Sequence, residues 1–257
     1  MIPRLFTPRL PAAGLTVQLD PPAAHHALRV LRLGPGAPVE LFDGRGGAAR
    51  ASIVSTAAGT ARVEQLLPVA PAPALQLTLV QCISAAEKMD WTIEKAVELG
   101  ATAIVPLQSQ KATVKLTTER SARRREHWQR LILAASSQCG QYHLPRLDDV
   151  ARLQDWLKQP APVRPSLRLV LDPRATQSLG AVLATGEAAA PEPGQGPAFR
   201  GGIWLLCGPE SGFSDEENRQ AREAGWLPAR LGPRVLRTET AGLVALSIIQ
   251  ARWGDLR

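Results

Sequence analysis

At 257 residues the chain is long enough for one large or two modest domains, and a change of pattern along it argues for two, 1–70 and 74–257. The 30 Lys and Arg against 23 Asp and Glu leave a formal charge of +7 and a pI near 10.0, a balance that favours a polyanionic partner such as nucleic acid. Three cysteines with no C-x-x-C spacing argue against a zinc site or a disulfide framework. No apolar run approaches the ~20 residues of a membrane span, so the expectation is a soluble, cytoplasmic protein with no metal and no membrane partner.

The first seventy residues hold short apolar runs broken by turn formers, at Leu15–Leu19, Val39–Phe42, Ala51–Val54 and Ala61–Leu66. They read as strands. Asp43-Gly44 and Gly46-Gly47 supply hairpin turns between two of them, and closely spaced strands suggest a small β-barrel. One helix is predicted over His25–Arg32, stopped by Gly34-Pro-Gly36. Pro68–Pro73 is a stiff linker and marks the domain boundary.

Beyond the linker, strands alternate with helices. Leu75–Val80 is apolar enough for a buried strand, and Ser84-Ala-Ala-Glu87 is a capping-box pattern ahead of a helix with Met89, Ile93 and Val97 on one face. Thr102–Pro106 is the next strand, and a helix from Thr118 to Gln138 carries Trp128, Leu131, Ile132 and Ala135 as its stripe. Leu167–Leu171 and Ile203–Cys207 are further strands. Such alternation implies a mostly parallel α/β sheet. The Ala-, Pro- and Gly-rich stretch 181–202 reads as a surface insertion without a core of its own.

Two turns run straight into helices and are the strongest chemical signal. In Gly208-Pro-Glu-Ser-Gly-Phe213, Ser214 is a good N-cap and Glu217 its reciprocal partner, so a helix is predicted to begin at Asp215. The turn sits where open α/β sheets bind ligands, yet it matches neither a Walker loop nor G-x-G-x-x-G, which disfavours a nucleoside triphosphate. It equally serves as a tight connection and nothing more. The second element, Leu231 to Ala241, leads into a helix apolar nearly all round, which calls for burial between the sheet and another subunit. Arg234, Arg237 and Glu239 crowd ahead of that helix, either as an ion-pair network or as groups facing a ligand.

The densest basic stretch runs through Lys111, Lys115, Arg120, Arg123, Arg124, Arg125 and Arg130. It reads as a solvated helix face or as phosphate contacts, and Arg4, Arg29, Arg32 and Arg50 add charge to the small domain. His25, His26, His127 and His143 lack metal-ligand spacing and read as structural or RNA-facing.

Taken in order, Pro3-Arg-Leu-Phe6, His26-Ala-Leu-Arg-Val-Leu-Arg32, Leu41-Phe-Asp-Gly44, Glu87 to Gly100, Gln138-Cys-Gly140, the two turns and Gln250-Ala-Arg-Trp-Gly-Asp255 closely resemble the RsmE family. Those are SPOUT-superfamily enzymes that methylate N3 of a specific uridine in bacterial 16S rRNA. The resemblance implies an N-terminal PUA-like RNA-binding β-barrel, a trefoil-knotted α/β methyltransferase domain and a homodimer that acts on 16S rRNA or the assembled small ribosomal subunit. It implies S-adenosyl-L-methionine as cofactor, held by Leu171, Gly208, Pro209, Glu210, Ser211, Gly212, Leu231, Gly232, Val235, Leu236, Arg237, Thr240 and Ala241. Arg4, Arg29, Arg32, Lys111, Lys115, Arg123 and Arg124 are the expected RNA contacts. Ser211 stands where the family usually has a second glycine, Ser137 where a glutamate is common, and Lys111 where arginine is frequent. A positive φ at Ser211 would strain the turn.

The N3 of uracil is a weak nucleophile until its proton leaves, so a cation near the uracil oxygens would favour reaction. Arg234 or Arg237 is the expected catalytic cation, with Glu239 orienting it. Methylation of a ribose or another base is one rival reading. An RNA-binding ribosome assembly factor with a vestigial cofactor pocket is the alternative from a different class.

Overall fold

The computed structural model describes residues 2–112, 117–160, 167–188 and 202–256. Contacts divide the chain into one unit of Met1–Pro73 with Leu133–Leu144 and another of Ala74–Ile132 with Pro145–Arg257.

In the first unit, side chains that alternate along the strands build a one-sided core. Its five strands are β1 (Arg4–Phe6), β2 (Thr16–Gln18), β3 (Pro38–Phe42), β4 (Ala48–Ser55) and β5 (Thr60–Leu66), in the order β1-β3-β4-β5-β2. β1 runs parallel to β3 and the other pairs are antiparallel. Val39 and Leu41, Ala49, Ala51 and Ile53, and Ala61 and Val63 point inward onto Leu5, Leu19 and Ala27. Asp43 closes the β3–β4 hairpin by accepting from the backbone N–H of Arg45 at 2.8 Å and of Gly47 at 2.9 Å. The helix expected at His25 begins earlier: α1 spans Pro21–His25, because proline lacks the N–H that a first turn leaves unused and its φ is already helical. A π-helical turn, His26–Val30, follows, and Arg32 leaves it at φ 53°, the one positive φ among described non-glycine residues.

The second unit is a parallel sheet with helices. Its elements are β6 (Leu77–Cys82), α2 (Ala86–Glu98), β7 (Ala103–Gln108), α3 (Thr118–Cys139), β8 (Arg146–Leu147), β9 (Ala151–Arg152), α4 (Leu153–Leu157), β10 (Leu167–Leu171), α5 (Leu179–Ala188), β11 (Ile203–Cys207), α6 (Asp215–Glu223), β12 (Leu227–Ala229) and α7 (Thr238–Trp253). The last turns of α3 fall in the first unit. The order is β12-β10-β11-β6-β7-β8, with β9 also on β7, and every ladder is parallel. β6 is buried at all six positions, as a central parallel strand must be with helices on both faces. After β12, at the sheet edge, the chain returns across the end of β10 and lays α7 on β11 and β6.

Two expectations give way. α2 is capped at Ala85 without a side-chain bond, and Ser84 Oγ is buried with no hydrogen-bond partner. The strand's extended path continues past Cys82, with Ile83 N–H donating to Leu107 O at 2.8 Å, so Ser84 arrives too early to cap. The stretch 181–202 opens inside α5, which reaches Ala188; residues 189–201 lie outside the described set.

Candidate active site

The carboxyl ends of β10, β11 and β12 meet at one cleft of about 740 Å³. A strand inserted between earlier ones, as β11 is between β10 and β6, splays the following loops apart and leaves a crevice there. Leu171, Gly208, Pro209, Glu210, Ser211, Gly212, Leu231, Val235, Leu236, Arg237 and Ala241 line it, and so do Arg234, Glu239 and Lys111. Gly232 and Thr240 do not. Gly232 shapes the loop instead, with φ +89°, and Thr240 N–H bonds back to Arg237 O within the first turn of α7.

The first arm of the cleft is fixed by local chemistry. Ser214 caps α6 and Glu217 closes the box: Ser214 N–H donates to Glu217 Oε2 at 2.8 Å, and Glu217 N–H to Ser214 Oγ at 3.1 Å. Glu217 is fully buried and its other oxygen accepts from Gln110 N–H at 2.8 Å, which ties the segment after β7 to this turn. Ser211 adds a third link, donating to Lys111 O at 3.0 Å. Its φ is not positive, so serine in place of glycine carries no backbone strain. The left-handed position is Gly212, φ +69°, where an added Cβ would meet nothing within 4 Å.

The second arm joins the first through Thr238, whose Oγ1 donates to Gly208 O and accepts from Gln81 Nε2 at 3.0 Å. Lys88, on α2, donates to Glu210 Oε1 and lies 3.8 Å from Glu239 Oε1. Glu239 therefore pairs with a lysine and not with an arginine, and its Oε2 is buried without a partner. Arg234 and Arg237 are exposed and make no ion pair or side-chain hydrogen bond among the described residues.

Charge is layered in this cleft. The floor carries two buried acids, Asp172 at 6% exposure and Glu239 at 8%, while Arg234 and Arg237 stand on the rim. Asp172 Oδ1 accepts from Arg174 N–H at 2.9 Å and Arg174 Nε at 3.3 Å. On the second arm, Val235 is an apolar side chain left 79% exposed. Burial pushes the Cys207 thiol up to about 12, and burial, with lesser help from Glu217 and Cys207, holds the Cys82 thiol well above its ordinary range. Both are inert thiols. No group of three or more His, Cys, Asp or Glu among the described residues could hold a metal ion, and no helix of theirs is long and apolar enough to cross a membrane.

The expected RNA contacts divide. Arg29, Arg32 and Arg123 are exposed, and Arg124 is half-buried. Arg4 is engaged inside the first unit: its Nε bonds Glu40 Oε1 at 2.8 Å, its guanidinium lies 5.4 Å from the centre of the Tyr142 ring, and Tyr142 OH donates to the same Glu40 oxygen at 2.8 Å. Those partners hold its guanidinium above the usual arginine value against the desolvation that lowers it. Lys115 lies outside the described residues. Sequence reasoning missed Lys88, Asp172, Arg174 and Thr238. Asp172 had a usable signal, since it directly follows a buried strand; Lys88 had none, because its partners are over a hundred residues away.

A parallel sheet with a crevice at its carboxyl edge, in a chain that also carries a separate β unit, fits an RNA methyltransferase with a PUA domain. An RNA methyltransferase domain model matches residues 71–250, and an RNA methyltransferase PUA domain model matches 19–66. The chain is similar to the crystal structure of ribosomal RNA small subunit methyltransferase E from Neisseria gonorrhoeae bound to S-adenosyl methionine, with 32% identity, all of both chains covered and a TM-score of 0.84. A putative methyltransferase from Legionella pneumophila, in complex with the same cofactor, gives 34% identity, full coverage of both and 0.87. Ribosomal RNA small subunit methyltransferase E of Synechocystis is 31% identical over 92% of this chain and 73% of its own length. The chain belongs to the RsmE family of RNA methyltransferases.

Proposed function

We propose that this protein is an S-adenosyl-L-methionine-dependent methyltransferase that modifies N3 of a specific uridine in 16S rRNA, working as a cytoplasmic homodimer on the RNA or the assembled small subunit. The observation that carries the reading is the cleft itself, with acids on its floor and, on its rim, arginines that have no ion pair among the described residues, in a chain of this family. The cofactor is a cation at its sulfonium and amino groups, and the buried, unpartnered Glu239 Oε2 is an acceptor such a group would satisfy. The open turn at Gly212 and the apolar Leu171, Leu231 and Leu236 suit its uncharged parts. The residues present therefore fit the group.

When bound, S-adenosylmethionine supplies a methyl group activated by its sulfonium. The chain's own work is to hold the uracil in line and to lower the cost of losing the N3 proton. Arg234 and Arg237, without an ion-pair partner among the described residues, stabilise charge that develops on the uracil oxygens, a form of electrostatic catalysis that is strong where water is excluded. Val235 beside them gains cover when a ligand fills the cleft. Glu239, paired with Lys88, belongs to the cofactor side and leaves the arginines to the base.

The homodimer is supported by α7. Leu243, Leu246 and Ile249 are buried, while Val244, Ile248 and Ala251 form a stripe at helical spacing left half-buried or exposed. Trp91 is exposed on α2, which packs against α7. An apolar stripe of this kind on a second face asks for a partner.

The test is methyl transfer from labelled S-adenosylmethionine to small ribosomal subunits from a strain lacking this gene, with the label then located by mass spectrometry. Label at N3 of one uridine is the expected result. Label on a ribose or another base would move the reaction elsewhere on the scaffold, and tight RNA binding without transfer would point to an assembly factor.

A further inference from the structure

Lys88 stands between the two arms of the cleft and serves both. Its ammonium donates to Glu210 Oε1 on the turn after β11 and lies 3.8 Å from Glu239 Oε1 in the first turn of α7. Among the described residues this is the one ionic link between those arms; the other tie, Thr238 to Gly208 O, is a neutral hydrogen bond. Without a cation between them, two carboxylates on facing arms would repel, and Glu239 has little water to screen it. One lysine shared by two acids also leaves the trio with net negative charge, and Glu239 Oε2 is the atom left without a partner.

We propose that Lys88 is a positioning residue that sets the spacing of the Gly208–Gly212 turn and the Leu231–Ala241 loop before ligand arrives, and keeps Glu239 poised with Oε2 free to receive a cationic group of the cofactor. The second half of this rests on the reading of the cleft as a cofactor site. Lys88 does not touch the ligand in this scheme. It acts through the carboxylates, so its effect disappears when the carboxylate it serves is neutral.

Two readouts test it on the full chain: amide hydrogen exchange of the free protein over residues 208–212 and 231–241, and calorimetric binding of S-adenosylmethionine. Lys88→Met is expected to speed exchange in both segments and to weaken binding on the order of tenfold, as loss of a partly buried charge partner does. Lys88→Arg restores both, and in a Glu239→Gln background Lys88→Met costs much less than in the wild type. Wild-type exchange and affinity in Lys88→Met would overturn the proposal, and so would a loss undiminished by Glu239→Gln, since the lysine would then be acting on the ligand directly. Lys88→Gln, which keeps part of the stem, replaces methionine if that variant unfolds. A wild type with no affinity for S-adenosylmethionine would sink the cofactor reading alone, because the exchange comparison needs no ligand.

Discussion

At the scale of single residues, what a side chain can do here is decided by whether the fold has already spent its charge. Arg4 has Glu40 and Tyr142, and Glu239 has Lys88, whereas Arg234 and Arg237 have no such partner among the described residues. Arg237→Ala is accordingly expected to lower the single-turnover rate by about a hundredfold, the loss typical of one stabilising donor. Full turnover with normal cofactor binding would remove Arg237 from catalysis. Sequence alone could place these charges near one another but could not pair them. Three charges within six residues looked like one cluster; the structure turns the acid inward to a lysine on another helix and leaves the bases outside.

At the scale of elements, local patterns were legible where the chain itself supplies both partners. Ser214 and Glu217 form the expected capping box and α6 begins at Asp215 as read, because both groups lie within four residues. The same S-x-x-E spacing at Ser84 misled, since an extended segment, hydrogen-bonded to its neighbour, holds Ser84 one residue short of the capping position at Ala85. β1 went unread for a similar reason: three residues gain strand character only by parallel pairing with β3, 36 positions away. α7 shows how tight the element packing is. A Cβ on Gly242 would sit 3.1 Å from Cys207 Sγ and 3.2 Å from Leu79 Cδ1. Gly242→Val is expected to cost about 1–3 kcal/mol, the usual price of overpacking, measured by denaturant unfolding. An unchanged midpoint would mean that α7 can shift off the sheet freely.

At the scale of the whole molecule, the class of fold was legible from strands alternating with helices, whereas the strand order was not, because β11 enters between β6 and β10 only through contacts that local periodicity does not encode. The stripe on α7 predicts association: Ile248→Asp, at a site 39% exposed, should convert a dimer to a monomer in analytical ultracentrifugation while leaving the monomer folded. A wild type that sediments as a monomer would refute it. Stability should also bend at alkaline pH. Cys82 and Cys207 keep their protons in the folded state after unfolded thiols, with the ordinary value of 9.0, have lost theirs. Each therefore favours unfolding by ~1.4 kcal/mol per pH unit above pH 9, for Cys207 up to about 12. Replacing both by alanine should flatten that limb of the unfolding curve, and an unaltered slope would assign it to other groups. The same burial makes the protein chemically addressable at one point. Cys139, exposed at the end of α3, is the only thiol an electrophile can reach, so native protein at neutral pH should take up one equivalent of a maleimide and denatured protein three. A dye placed there by nature's own spacing would report on the first unit from outside the cleft, without a single engineered residue.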